Sequence, residues 1–300
     1  MQEVCRDHRI DARFFLVIVN AFSNDSYTQE KRLRTTDVDR IVDYLEKTHR
    51  YYTGVQLPLI ERLLDELLQE RPTEARDMML IKRFFLEYKR ELLSHLTRED
   101  TTTFPYVRQV CRLTSRGAPT PKDRQVLARY SMQAYAQEHS NVDEKLFDLK
   151  NILIKYVRSG PSSAVIQEIV FELFRLERDI LDHSRIEDTI LRPLVQELEA
   201  RLFPEGGSKV QVKRGALPPV KATAVKGGSG NEELSDREVD VLRLVARGFL
   251  SKQIAGRLGI SLHTVLSHRK NITRKLQIRT VAGLTVYALL NQIITTHEVR

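Results

Sequence analysis

The sequence predicts an all-α protein, an antiparallel four-helix bundle followed by a smaller helix-turn-helix module. Four long segments place apolar residues alternately three and four positions apart, the spacing that lines one face of an α-helix. Between residues 204 and 231 that spacing stops, and proline, glycine and lysine take over. Residues 234–294 then run as short helix, glycine-containing turn and basic helix. The predicted organisation is a short helical segment at 1–36, a bundle at 37–203, a flexible basic linker at 204–231 and the helix-turn-helix module at 232–300.

Charge divides the chain in the same way. The net charge is +8; residues 232–300 hold 11 basic and 6 acidic residues, and residues 204–231 hold 5 and 1. Residues 1–203 are therefore close to neutral, and the positive charge of the last third suits a polyanionic partner there and a different task upstream. Two cysteines, Cys5 and Cys111, exclude a disulfide framework and a cysteine-based zinc site, and read as ordinary thiols. The charged start lacks a signal-peptide pattern, and the only apolar run there, Phe14 to Val19, is far too short to span a bilayer. A cytoplasmic protein is expected.

Residues 1–30 read as two short helices with a polar break at Ser23-Asn24-Asp25-Ser26. The first long helix carries Val38, Val42, Leu45, His49 and Tyr52 on one seam, with Asp37 as N-cap. It runs on towards Leu68 with a kink at Pro58, and Arg71-Pro72-Thr73 breaks it. The second carries Ile81, Phe85, Tyr88, Leu92, His95 and Glu99, and a loop rich in breakers follows, with Pro105, Gly117, Pro119 and Pro121. The third carries Met132, Tyr135, His139, Val142, Leu146, Leu149 and Leu153. Ser159-Gly160-Pro161-Ser162 ends it, and the fourth carries Leu173, Leu176, Ile180, His183, Glu187, Leu191 and Leu194.

Each of the four seams contains one histidine, and an unpaired polar ring on an apolar seam is costly to bury. Half of the eight histidines in the chain occupy these positions. Independent packing explanations for all four become improbable together. Glu99 and Glu187 stand four residues after His95 and His183, which sets imidazole and carboxylate one turn apart on one face. His49, His95, Glu99, His139, His183 and Glu187 are therefore candidate ligands for a pair of metal ions. Nitrogen and oxygen donors without thiolate suit iron, manganese or zinc, with two irons the first choice. Tyr52, Tyr135 and Asp143 are weaker candidates for the lining of the site.

The stretches Thr48-His49-Arg50-Tyr51-Tyr52, Leu93-Ser94-His95-Leu96-Thr97-Arg98-Glu99-Asp100, Gln137-Glu138-His139 and Asp182-His183-Ser184-Arg185-Ile186-Glu187 resemble those of hemerythrin-like domains. They are most similar to the branch of di-iron proteins that repairs iron centres after nitrosative and oxidative stress. The resemblance covers about residues 37–200 and implies a di-iron centre on those six ligands, with Glu99 and Glu187 bridging. Residues 3–16 resemble the tail of the small module that often precedes such a domain, without its double-cysteine motif.

At the other end, Ser235 and Glu238 form a capping box ahead of an apolar face of Val239, Leu242, Val245 and Ala246. A helix from Ser251 to Leu258 follows, with Ile254 and Ala255 inward, then the turn Gly259-Ile260-Ser261 and a helix from about Leu262 to Leu276. Leu-Ser-x-Arg-Glu from Leu234, Lys252-Gln253-Ile254-Ala255, Ile260-Ser261-x-x-Thr264-Val265-x-x-His268 and Asn271-Ile272-x-x-Lys275-Leu276 resemble the LuxR/FixJ-type module. That resemblance implies an inward Val265, with Leu266, Ser267 and Lys270 facing the major groove. It further implies phosphate contacts by Ser251, Lys252, Thr264, His268, Arg274 and Lys275, and homodimerisation through a last helix at about Thr280 to Ile294.

The combination predicts a DNA-binding transcriptional regulator, not an enzyme, whose di-iron bundle responds to oxygen, nitric oxide, peroxide or iron status. The expected partners are double-stranded DNA, a second copy and a small ligand, with no membrane. Two other readings stay open. One is a di-iron protein of iron-centre repair or small-molecule scavenging that uses DNA binding for placement. The other is a DNA-binding regulator with a metal-free scaffold bundle.

Overall fold

The computed structural model of the chain describes residues 2–7, 11–23, 35–117, 120, 142–157, 164–202 and 233–299. Its regular structure is helical throughout, with no strand among the described residues. Helices α1 (Gln2–Asp7) and α2 (Ala12–Ser23) lead into the first arm of the bundle, α3 (Thr35–Tyr51) and α4 (Leu57–Glu70). The second arm is α5 (Ala75–Arg98) and α6 (Phe104–Arg116), the third includes α7 (Val142–Val157), and the fourth is α8 (Ala164–Ile186) and α9 (Arg192–Leu202). The C-terminal module comprises α10 (Asp236–Ala246), α11 (Ser251–Leu258), α12 (Leu262–Leu276) and α13 (Val281–Leu290). Met132, Tyr135 and His139 of the third seam, the break after Ser23 and the linker at 204–231 lie outside the described residues.

Neighbouring arms run antiparallel: α4 packs on α5, α3 on α6, α7 on both α5 and α8, α8 on α4, and α9 on α6. Three arms are jointed in the same way. A π-turn spans Tyr52–Gln56, Glu99–Thr103 and Glu187–Leu191, and the helix after each has proline in its second position, Pro58, Pro105 and Pro193. The residue just before each proline (Leu57, Phe104, Arg192) donates its N–H to a carbonyl five residues back, on Tyr52, Glu99 and Glu187. Proline has no N–H to donate, and its ring clashes with a carbonyl four residues back, so one widened turn lets the helix pass the proline without breaking. The loop expected from Pro105 onward is therefore helix as far as Arg116, where Gly117, at φ 100°, supplies the stop. The kink expected at Pro58 is likewise a π-turn set just ahead of it.

Two apolar clusters fill the bundle, one on each side of these joints. The first gathers Leu57 to Leu67 of α4, Met78 to Leu96 of α5, Leu146 to Leu153 of α7 and Ile166 to Ile180 of α8, and continues into the C-terminal module. The second gathers Val38 to Leu45 of α3, Phe104 to Cys111 of α6, Ile186 to Leu202 at the end of the fourth arm, and Ile18 of α2. Asp37, expected as an N-cap, lies instead inside the first turn of α3, which starts at Thr35. It is buried, and its carboxylate accepts two hydrogen bonds from Arg13 Nη2, at 2.8 and 2.9 Å, which tie α2 to the bundle. Cys5 and Cys111 are free thiols and buried, and burial pushes the Cys111 pKa up to about 12, so it is no nucleophile at neutral pH.

In the C-terminal module the predicted capping box is present. Ser235 N donates to Glu238 Oε2 at 2.9 Å, and Glu238 N to Ser235 Oγ at 3.4 Å. Gly259 closes α11 in the left-handed region at φ 64°, and Ser261 caps α12 by accepting from Thr264 N at 3.0 Å. Leu242, Val245 and Ala246 are buried as expected, Val239 is only half-buried, and Val241 and Leu244 are buried as well. The reason is that α10 is covered on two sides, by α12 and by α13.

Glu238 also accepts from Lys275 Nζ at 2.8 Å. Burial raises its pKa, but Lys275 and Ser235 more than offset this, and the net value lies below the ordinary 4.5. A depressed carboxylate stabilises the fold above its unfolded pKa, and that contribution disappears as pH falls through the folded one. Glu238→Gln keeps an acceptor for Ser235 but removes the charge. The expected result is a loss of about 1 kcal/mol in urea unfolding at pH 7, with the two proteins converging as the pH falls through the depressed pKa of the Glu238 carboxyl. A pH-independent difference would remove the charge pair as the cause.

Candidate metal centre and DNA-binding interface

The three π-turns stand beside the ligand candidates. His49 precedes the first joint by three residues, and Glu99 and Glu187 are the opening residues of the other two. Their side chains fill the polar layer between the two apolar clusters. Ligand atoms of His49, Glu99 and His183 lie within 4.8 Å of one another, and all three residues are buried. Glu99 is the centre of the group: Oε2 is 3.3 Å from His49 Nε2 and 4.0 Å from His183 Nε2, and Oε1 is 3.0 Å from His95 Nε2. Glu187 Oε1 lies 3.3 Å from His183 Nε2. The structure thus brings together five of the six residues, while His139 falls outside the described residues.

The far side of two rings is already engaged. His49 Nδ1 is 2.8 Å from Asp100 Oδ1, and His183 Nδ1 is 2.9 Å from Thr48 Oγ1, whose own hydrogen goes to Leu45 O at 2.7 Å. A carboxylate only accepts, and a hydroxyl whose hydrogen is committed can only accept, so these partners assign the proton to Nδ1 in both rings. The two Nε2 atoms, 3.2 Å apart, then face each other and Glu99 Oε2 as three electron-pair donors. Only a positive charge among them relieves that arrangement, and the donor set fits a metal cation.

The titration behaviour has the same origin. Burial pulls the His49 pKa down, but Glu99 and Asp100 more than offset it, so the net shift is upward. His95 is raised in the same way by Glu99. Burial disfavours charge on Glu99 too, yet His49 and His95 hold its carboxyl well below the usual range. His183 is pushed down to about 3 by burial, a shift that the Glu99 charge opposes and that His49 and His95 reinforce. Its Nε2 keeps a lone pair at any neutral pH.

Asp100 and Thr48 stand next in sequence to Glu99 and His49, inside the stretches that resemble hemerythrin-like domains. Their position outside the seam spacing gave no sign of the contacts they make. Phe104 stacks on His49 with ring centroids 5.4 Å apart and closes the layer from the second cluster. Tyr52 lines the site with its ring 5.9 Å from that of His183, and its hydroxyl donates to Asp179 O at 3.0 Å. The side chain of Asp143, and all of Tyr135, lie outside the described residues.

In the C-terminal module, Lys252, Leu266, Ser267, Lys270 and Arg274 are exposed, while Ser251, Thr264 and His268 are half-buried. Val265 is fully buried, and the face of α12 opposite to it carries Leu266, Ser267 and Lys270 outward. Ser251 Oγ accepts from Arg269 Nη1 at 3.0 Å, which ties α11 to α12. Lys275 departs from its predicted role as a phosphate contact. Its ammonium is committed inside the module, to Glu238 and to the Glu233 carbonyl at 3.1 Å. In sequence it is one more cation on a basic helix; only the packing of α12 against α10 turns it inward.

Fold and site together define an all-α protein in which a bundle with a buried histidine–carboxylate cluster is joined to a helix-turn-helix module. Comparison with known proteins agrees. Residues 40–195 match the hemerythrin HHE cation binding domain, and residues 232–288 match the bacterial regulatory proteins of the luxR family. The chain belongs to the hemerythrin HHE family and carries at its C-terminal end a DNA-binding domain of the luxR regulatory family. It is 46% identical over 66 residues to the transcriptional regulatory protein MctR of Rhizobium johnstonii, a match spanning 22% of this chain and 31% of that one. It is 27% identical over 203 residues to the Fimbriae Z protein of Salmonella typhimurium, covering 57% of this chain and 96% of that one. The oxygen regulatory protein NreC of Staphylococcus carnosus is 38% identical over 61 residues, 20% of this chain and 28% of its own. No solved structure matches the chain. No helix among the described residues is long and apolar enough to cross a membrane.

If Asp100 orients His49, Asp100→Asn weakens binding of a divalent cation by about 10- to 100-fold, read by competition with a chelator. An affinity within about twofold of wild type would remove Asp100 from the site's support.

Proposed function

We propose that the protein is a transcriptional regulator whose DNA binding is controlled by a di-iron centre in its bundle. His49, His95, Glu99, His139, His183 and Glu187 are the residues that would hold the metal. The observation that carries this reading is the convergence of His49 Nε2, His183 Nε2 and Glu99 Oε2, with both Nδ1 atoms committed elsewhere. Iron held by imidazole and carboxylate offers a coordination position to oxygen, nitric oxide or peroxide and changes oxidation state. The chain's own residues fix the rings, pack Phe104 and the two clusters against the layer, and balance its charge. The luxR-type domain supplies the output on double-stranded DNA. Leu266, Ser267 and Lys270 read bases, and Ser251, Lys252, Thr264, His268 and Arg274 hold phosphates.

Protein purified without oxygen is expected to carry about two irons per chain, with an optical spectrum that changes on adding oxygen or nitric oxide. His95→Ala with Glu99→Ala is expected to lose that metal and to change DNA affinity by about 5- to 150-fold, the usual range of coupling between sites. Unchanged DNA binding in a folded, metal-free variant would end the sensor reading. No iron in wild type would leave the bundle as a scaffold. Lys270→Ala is expected to cost about 1–3 kcal/mol on a selected duplex, measured by fluorescence anisotropy, and to relax preference at one base pair.

A further inference from the structure

The bundle holds the C-terminal module near the end of α12 and leaves the start of that helix open. Asp148 of α7 accepts from Arg279 N at 2.7 Å, Thr280 N at 2.7 Å and Thr280 Oγ1 at 2.6 Å. Asn151 Nδ2 donates to the Gln277 carbonyl at 2.8 Å, and Lys155 Nζ donates to the carbonyl of Leu276, the last residue of α12. The outward residues of the first two turns, Leu262, His263, Leu266 and Ser267, are exposed in the full chain.

This outward face changes chemistry along its length. Its later half is basic, with exposed Lys270 and Arg274 one and two turns beyond Leu266. Its first half carries Leu262 and Leu266, 45% and 52% exposed and one turn apart on the same side. Val265, Ile272 and Leu276 supply the buried side of α12, so the two leucines are not needed for the module's core. A lone exposed leucine is ordinary, but in a helix-turn-helix the first turns of the second helix are the part that meets base edges. A leucine there offers neither donor nor acceptor. Pressed against guanine O6 and N7, or against the cytosine amino group, it strips water from polar atoms and returns no hydrogen bond. The one apolar group on the major-groove edges is the C5-methyl of thymine. Lys270 and Arg274, with exposed Lys252 of α11, supply the charge that draws a polyanion onto the same surface.

We infer that Leu262 and Leu266 are specificity-determining residues and that together they select thymine, through its methyl group, at two neighbouring base pairs. The inference deepens the DNA-binding reading and rests on it. Four residues advance about 6 Å along a helix, against about 3.4 Å per base pair, so the two side chains span about two base pairs. Leu262 lies outside the set of base-reading residues that the family resemblance implies, and its exposure beside Leu266 brings it in. Lys270, one turn further on, keeps its ammonium for a base acceptor.

The test uses the full chain and a duplex that it enriches from a random library, with affinity read by fluorescence anisotropy at fixed salt. Replacing thymine by deoxyuridine, one position at a time, removes a methyl and leaves every hydrogen-bonding group in place. At two positions within about two base pairs of each other, each replacement is expected to weaken binding by about 3- to 5-fold. Leu262→Ala with Leu266→Ala is expected to bind thymine and deoxyuridine duplexes alike. Cytosine at those positions weakens wild-type binding, and 5-methylcytosine, which returns the methyl on a G·C pair, is expected to recover about 3- to 5-fold in wild type and nothing in the double variant. If the double variant binds too weakly to measure, the single variants decide, each becoming indifferent to one of the two methyls. Deoxyuridine tolerated within about twofold at every position, or methyl sensitivity that persists without the leucines, would overturn the inference and leave DNA binding standing. Failure to enrich any duplex would overturn the DNA-binding reading itself, and this inference with it.

Discussion

The structure turns on a charged layer held between two apolar clusters. Burying Glu99 and Glu187 in the middle of a bundle is tolerable only if positive charge and hydrogen bonds meet them there. His49, His95 and His183 supply nitrogen at 3.0 to 4.0 Å, and Asp100 and Thr48 hold two of those rings in one tautomer. Everything else about the bundle accommodates this layer. The apolar seams pack on either side of it, and the π-turns stand beside its ligand candidates.

Those π-turns connect local chemistry to the site. Each is closed by the N–H just before a proline, and each opens at or just after a ligand candidate. Read as sequence, proline signals a break, and Pro105 was expected to begin a loop. Within a bundle the flanking apolar residues, Phe104 and Val107 for the second arm, are both fully buried in one cluster, and that packing makes continuing the helix cheaper than ending it. Tertiary burial overrides the local preference, and the strain is placed in one wide turn beside the functional residues.

Much of the site was legible because helical spacing is a local property. His95 with Glu99 and His183 with Glu187 share a face at four-residue separation wherever the helix goes, and a seam that buries Leu92 or Ile180 buries Glu99, His183 and Glu187 and half-buries His95. The residues that support the rings were not legible. Asp100 and Thr48 belong to no periodic pattern, and their partners His49 and His183 lie 51 and 135 residues away in sequence. Lys275 was misread for a related reason: its neighbours Arg269, Lys270 and Arg274 give it the charge of a nucleic-acid face, while Glu238, on another helix, takes its ammonium.

The sequence alone determined the fold class, the seams, the capping box at Ser235, the limits of α11 and α12, and the set of ligand candidates. All of these depend on residues within a few turns of each other, where backbone geometry dictates who shares a face. Tertiary structure alone decided which nitrogen of each ring looks inward, that Asp37 serves as an anchor for Arg13, that Lys275 turns into its own module, and that Asp148 accepts from the backbone of Thr280, 132 residues away. Those are contacts between segments distant in the chain, and no period or motif encodes them, because each is set by which helices pack side by side.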